Sequence, residues 1–313
     1  MKKISFLCML LLVFSCLLLA GCGGGSQQAA SSDQMPSFKD DIGREVVLEK
    51  KPERVVVLSA SFLEPFHEVG GEVVGRPDSK TFMPDYAKDL PSVGQVYQID
   101  VEKVIALDPD MVIINKGMNE KLVKSFEDNG INCAVMDMKN YDSVRNELKV
   151  FGLISGHPEL ADKKIAEMDE AIEAVKSKLP RDKKRVAILH STVQGLTVQL
   201  DGSIAGSISN MLGWENVASG MTSLDKNPDA APYSLETLVQ QNPDILFITS
   251  MGSIDTIKKD MEAEMAGNPA WNAIPAVANG KVYYLPQNLF LLSPGIHYPE
   301  AVEYMAKLIY PEI

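Results

Sequence analysis

Residues 90–117 read LPSVGQVYQIDVEKVIALDPDMVIINKG, and the rest of the chain is organised around them. The order is loop, helix, turn, strand, loop. Asp100 is a good N-cap, and Glu102 falls in the first turn, where negative charge suits the helix dipole. Val104, Ile105 and Leu107 supply a short apolar face. Asp108-Pro109-Asp110 ends the helix, because the residue before a proline is pushed out of the α region. Residues 111–114 are all apolar, the mark of a strand buried on both faces.

The same grammar returns in residues 235–252, LETLVQQNPDILFITSMG. Glu236 matches Glu102, Pro243 matches Pro109 and Asp244 matches Asp110. An N-cap stands two residues before each glutamate, Asp100 or Ser234. Either two ordinary helix-turn-strand units coincide, or the chain is built of two similar α/β lobes. Two lobes would each offer loops at the carboxyl ends of parallel strands, where open α/β sheets bind ligands.

The chain has 313 residues, enough for two such lobes. Residues 1–21 read as a signal peptide, with Lys2 and Lys3 ahead of an apolar stretch. LLAGC, ending at Cys22, resembles the bacterial lipobox, which makes Cys22 the lipid-bearing mature N-terminus. Two acyl chains suffice for stable anchoring. Residues 22–43, small and polar at first, are expected to be a flexible tether. Cys8 and Cys16 leave with the signal, so Cys133 alone remains free, in an apolar run that suits a buried thiol. Without Lys2 and Lys3 the chain keeps 28 basic against 42 acidic residues, a net charge of −14. That balance argues against nucleic acid as a partner.

Residues 44–156 form the expected N-terminal lobe. Its strands are predicted at 45–48, 54–58, from 73, 111–114 and 131–136, and its helices include one opened by a Ser61/Glu64 capping box, one over 120–128 and one over 141–154. Residues 157–180 are the expected bridging helix. Leu160, Ile165, Met168, Ile172, Val175 and Leu179 give it one apolar face, and its reach is roughly 30 Å. Residues 181–313 form the C-terminal lobe, with strands at 185–189, at the position after Asp244 that aligns with 111–114, and at 281–285, and helices at 203–212, 254–265 and the C-terminus.

No catalytic signature stands out. His67-Glu68 opens an H-E-x-x-H pattern, but Gly71 occupies its last position. There is no G-x-S-x-G elbow and no Walker A loop. His190 ends the first strand of the second lobe, and His297 opens the last helix; both are candidates to face a cleft.

From residue 44 onward the chain resembles the substrate-binding proteins of ABC importers for iron complexes and cobalamin. The resemblance rests on Arg54-Val55-Val56-Val57-Leu58-Ser59, the two glutamate-to-aspartate units, Trp214-Glu215-Asn216-Val217 and Asn279-Gly280-Lys281-Val282-Tyr283. It implies an α/β fold of two Rossmann-like lobes bridged by a single long α-helix. It implies a binding protein, not an enzyme, lipid-anchored outside the cytoplasm, with an ABC permease dimer and its ATPase as partners. By the same resemblance Glu102 and Glu236 dock on permease arginines, one per half.

Residues 75–118 and 244–284 look most like Gram-positive haem-receptor lipoproteins, which makes haem the first choice of cargo. A corrinoid or a ferric siderophore is the alternative, and no resident cofactor is implied. Relatives take one axial ligand from the loop after a V/I-G-Q tripeptide, here Val93-Gly94-Gln95, and the matching residue is Tyr97 where they carry Met. Their other ligand, a His, falls on Met251. Both are departures, yet tyrosinate and Met are each known donors to haem iron. His190 is held in reserve as a donor. Met83, Met118, Tyr86, Tyr233 and Phe290 are expected cleft residues, with Lys80 and Lys116 to meet propionates.

Overall fold

The computed structural model describes residues 36–79 and 82–313, of which Pro36–Ile313 form a compact unit with its own core. The predicted signal peptide, Cys22 and most of the tether lie outside the described residues, as does Lys80. Order begins earlier than the sequence suggests. β1 (Ser37–Lys39) pairs antiparallel with β2 (Glu45–Val47), and Phe38 is buried. The buried Asp40 carboxylate accepts from the Ile42 and Arg44 amides and from the Arg44 guanidinium, so residues 36–43 belong to the body and not to a tether.

The N-terminal lobe continues with β3 (Val55–Val57), β4 (Val73–Asp78), β5 (Ser92–Gln95), β6 (Gln98–Ile99), β7 (Met111–Asn115) and β8 (Asn132–Met136). These form one sheet in the order β6-β5-β4-β3-β7-β8, parallel except for β6. The second lobe holds β9 (Arg185–Thr192), β10 (Gly195–Gln199), β11 (Glu215–Asn216), β12 (Ala230–Pro232), β13 (Ile245–Ser250) and β14 (Val282–Tyr284). Its order is β12-β10-β9-β13-β14, with β11 also on β9. Strands β10 and β12 were not anticipated. Their sequences, GLTVQ and AAP, are too short and mixed to show a period.

The repeat is deeper than its helices. Asp100 and Ser234 each accept from the backbone three residues on, at Lys103 and Thr237. Asp108 and Asn242 are the only non-glycine residues with positive φ among those described, at 48° and 52°, and each precedes the repeat's proline. Both are residue types that tolerate the left-handed region. The Asp110 carboxylate accepts from the Glu53 and Arg54 amides at 3.0 and 2.9 Å, and Asp244 accepts from the Arg185 amide at 3.0 Å. Arg54 in turn donates to the carbonyls of Leu107 and Asp108, and Arg185 to that of Asn242. Each aspartate thus pins the start of the neighbouring strand. Val55 then lies beside Met111, and Val186 beside Ile245.

Alternate residues of these strands enter different cores, as expected for sheets covered on both faces. Val56, Leu58, Val112 and Ile114 pack outward within the first lobe; Ala187, Leu189, Leu246 and Ile248 do so in the second. Val55, Val57, Met111, Ile113, Val186, Ile188 and Phe247 share one inner core with the bridging helix. That helix runs Pro158–Lys176 and buries Ala161, Ile165, Met168 and Ile172. It stops short of Leu179, and Leu160 is exposed. The predicted Ser61/Glu64 capping box does not form. Helix Ala60–Glu68 has Ser59 at its N-cap without a side-chain bond, and Glu64 is engaged by His297. The predicted helix over 120–128 is a 3-10 turn, Glu120–Leu122, followed by helix Val123–Glu127.

Removing either clamp leaves a strand-opening amide without its acceptor. Asp110→Ala and Asp244→Ala should each cost about 1 kcal/mol, read as a lower urea midpoint of the Pro36–Ile313 body. An unshifted midpoint in either variant would show that the clamp is idle.

Candidate functional site

In the first lobe the strand order reverses between β3 and β7, and in the second between β9 and β13. Ligands bind open α/β sheets outside the carboxyl ends of strands at such a switch point. Five residues beyond Arg54 and Asp110 stand Ser59 and Asn115; five beyond Arg185 and Asp244 stand His190 and Thr249. All four line one cleft of about 450 Å³. The repeat therefore delivers equivalent positions from both lobes to a common space.

Phe62, Met138, Ile204, Phe290, Leu291 and Leu292 give this cleft apolar walls. Lys116, Asp137, Lys139 and Asp229 supply its charge, and no arginine lines it among the described residues. Lys139 of the first lobe reaches Asp229 of the second at 2.9 Å, an ion pair across the cleft. A second tie lies alongside, where His297 Nε2 meets Glu64 Oε2 at 3.0 Å. Lys116 makes no ion pair among the described residues.

His190 is half-buried, and burial pushes its imidazole below the ordinary value, which favours the neutral ring. Its Nδ1 lies 2.9 Å from Thr249 Oγ1, and Thr249 is only 4% exposed. The Thr249 hydroxyl is also 3.2 Å from the carbonyl of Leu189.

Of the residues singled out from sequence, Lys116, Met118, His190 and Phe290 line the cleft. Tyr97 does not. It forms the turn of the β5–β6 hairpin with Val96, is 71% exposed, and donates its hydroxyl to Gln95. Gly94 makes that hairpin, since at φ 102° a Cβ would meet the Gln98 carbonyl at 2.5 Å. Val96 alone of the pair reaches the cleft, where its carbonyl accepts from buried Asn119 at 2.5 Å. Met251 is 61% exposed and lines a different depression with Val193, Ile257 and Met261. Tyr86 lies against the flank of helix Ala60–Glu68, stacked on His67 at 4.0 Å with its hydroxyl on the Leu63 carbonyl. Tyr233 packs beside Trp271 in the outer core of the second lobe. Met83 packs against the inner core. The aromatic residues were expected at the cleft because their loops lead to it, but their rings find apolar partners nearer by.

Glu102 and Glu236 are both exposed, in the first turns of helices Val101–Ala106 and Leu235–Gln241. Each follows a cleft residue closely, Val96 in one lobe and Asp229 in the other. Residues 55–289 match the family model described as periplasmic binding protein. The chain belongs to that family. Among periplasmic binding proteins it is 27% identical over 302 residues to the Fe(3+)-citrate-binding protein YfmC of Bacillus subtilis, covering 92% of this chain and 91% of that one. It is 24% identical to the high-affinity heme uptake system protein IsdE of Staphylococcus aureus, covering 96% and 97%. An ABC transporter substrate-binding protein from Listeria monocytogenes superposes with a TM-score of 0.73 at 27% identity, over 84% of this chain and all of that one. The Listeria structure shares this chain's α/β fold.

One buried group near the cleft bears on stability. Glu147 is fully buried in helix Tyr141–Ser155, and its carboxylate oxygens make no hydrogen bond of normal geometry among the described residues. The nearby Asp137 amide is already given to Asp41, at 2.7 Å. Burial drives the Glu147 carboxyl well above its ordinary range, and the charges of Asp41 and Asp137 push the same way. Folding therefore takes up a proton here. The associated stability is complete below the unfolded value, near about 4.3, and is lost as pH rises through the folded one. Glu147→Gln should melt close to wild type at pH 4 and higher than wild type at pH 8, by about 2 °C or more. A pH-independent difference in calorimetry would contradict this.

Proposed function

We propose that the chain is the substrate-binding component of an ABC importer, capturing an iron complex between its lobes and handing it to a membrane permease. Haem is the cargo the cleft suits best. The observation that carries this is the wall chemistry: Phe62, Met118, Met138, Phe290, Leu291 and Leu292 surround a space that also holds Lys116, a cation in no ion pair among the described residues. A planar macrocycle would bury its faces against such walls, and one of its carboxylates would meet the lysine. The volume of about 450 Å³ lies within the range of small-molecule sites.

Ferric citrate is the second reading, favoured by the relative in Bacillus subtilis that carries that name. A small polyanion would draw on a dense set of fork-like donors. Here the cations are two lysines, and Lys139 is already neutralised by Asp229. A corrinoid remains the larger-ring alternative within the same architecture.

Delivery needs a surface that the permease can read on both lobes. Glu102 and Glu236 meet this requirement, because the repeat presents them at equivalent, exposed first turns close to the cleft. Their local role, one carboxylate at a helix N-terminus, is worth only about 0.3–1 kcal/mol, so each is replaceable without unfolding the lobe. Lipid attachment at Cys22 would hold the body near its permease. That curated relatives are named substrate-binding lipoproteins of ABC transporters supports this placement.

Absorption titrations of the Pro36–Ile313 body with hemin, cyanocobalamin, ferric citrate and ferric siderophores test the cargo. A saturable Soret change with hemin and no comparable response to the other three is expected. Preference for any other complex would replace haem. In cells, Glu236→Lys and Glu102→Lys should each abolish uptake while the purified variants keep hemin affinity within about twofold of wild type; parallel loss of affinity would argue against docking.

A further inference from the structure

From the ion pair that crosses the cleft we infer that Asp229 is a specificity-determining residue: by holding Lys139 it screens small polyanions out of the site. The inference rests on the cargo being an iron complex and concerns which complexes the charges admit. Among the described residues two lysines line the cleft, Lys116 and Lys139, with two carboxylates, Asp137 and Asp229. Asp137 lies close enough to both lysines to feel their charge, so the two ammonium groups serve one region of the cleft.

Neither member of the pair is placed by local needs. Lys139 precedes Asn140, the N-cap of helix Tyr141–Ser155, and that is the end of a helix at which a cation is disfavoured. Its ammonium instead reaches Asp229 of the other lobe at 2.9 Å. Asp229 is set for that meeting. Its amide donates to Asn227 Oδ1 at 3.1 Å and its carbonyl accepts from the Leu200 amide at 2.8 Å, which fixes the backbone just ahead of β12. Gly202 makes the room, since a Cβ there would come within 2.4 Å of Asp229 Oδ1. The aspartate side chain is 21% exposed and the lysine 50%, so the acid is the fixed partner and the base the reaching one.

A small polyanion such as ferric citrate needs more than one cation at once. Lys116 and Lys139 would together supply two, but a carboxylate approaching Lys139 meets the Asp229 charge already there. Like-charge opposition of this kind is a means by which a site refuses an unwanted ligand. A cargo that gains its affinity from apolar faces, with one carboxylate for Lys116, does not depend on Lys139 and is little affected.

Ferric citrate and hemin, titrated separately into the Pro36–Ile313 body, test the assignment. Asp229→Asn should tighten ferric citrate about fivefold, while hemin changes by less than about twofold. Gly202→Ala, which keeps the charge but turns the carboxylate away from Lys139, should move ferric citrate in the same direction, and it carries the test if Asp229→Asn fails to fold. The gain should vanish when Lys139→Met accompanies Asp229→Asn. If the gain persists without Lys139, Asp229 is only a general repulsion and the assignment is wrong. It is equally wrong if Asp229→Asn keeps the wild-type urea midpoint and leaves ferric citrate unchanged; both results leave haem as the cargo. A wild-type body that prefers ferric citrate to hemin overturns the screening and the choice of haem alike. If neither the wild type nor Asp229→Asn binds hemin or ferric citrate, the inference and the cargo reading fall together.

Discussion

Two carboxylates, Asp110 and Asp244, set where each lobe's strands start. Asp110 accepts from the amides just ahead of β3 and Asp244 from the first amide of β9, and each follows a proline and a left-handed residue that the adjoining arginine helps to hold. Because side chains along a strand alternate, a shift of one residue would turn every cleft-facing group to the wrong side. The clamp fixes that register at the far end of the sheet. Five residues on, it emerges as Ser59 beside Asn115 and His190 beside Thr249, facing a common space. The lining of the cleft is thus a downstream result of a bond made at the opposite edge of each lobe.

Duplication of the frame leaves the cleft free to differ from wall to wall. Backbone geometry is repeated, whereas the residues at the strand ends are not. One wall offers a serine and an asparagine, the other an imidazole hydrogen-bonded to a buried threonine. Lys139 and Asp229 join the walls, and Glu64 and His297 join them again alongside. These contacts come from loops and helix ends, the parts of such folds that vary most easily while the scaffold stays put.

The frame was legible in the sequence because its signals are local. A capping residue, a first-turn glutamate and an Asp-Pro or Asn-Pro step state a helix and its end within about ten residues. The buried strands announced themselves as unbroken apolar runs. The start of the body carries no local signal, because Phe38 is a lone apolar residue whose burial depends on pairing with β2 and on the inner core beyond it. Strands β10 and β12 escaped for a similar reason: they exist as edges laid on β9, not through any pattern of their own. At the cleft, His190 could be named because it ends a strong strand. Thr249 could not, since its meaning depends on β13 lying next to β9, which only the order of strands in the sheet reveals. Tyr97 and Met251 match donor positions along related chains; in this structure they stand exposed at a hairpin tip and a strand exit, outside the lining of the central cleft.

The inner core runs without a break from β3 and β7 through Ile165, Met168 and Ile172 to Phe247 and the C-terminal helix. A chain so joined has no weak seam at which one half could melt and leave the other standing. Damage to either lobe is shared by both, and a partly open form exposing half a cleft is disfavoured relative to full unfolding. Such all-or-none behaviour offers proteases few intermediate targets.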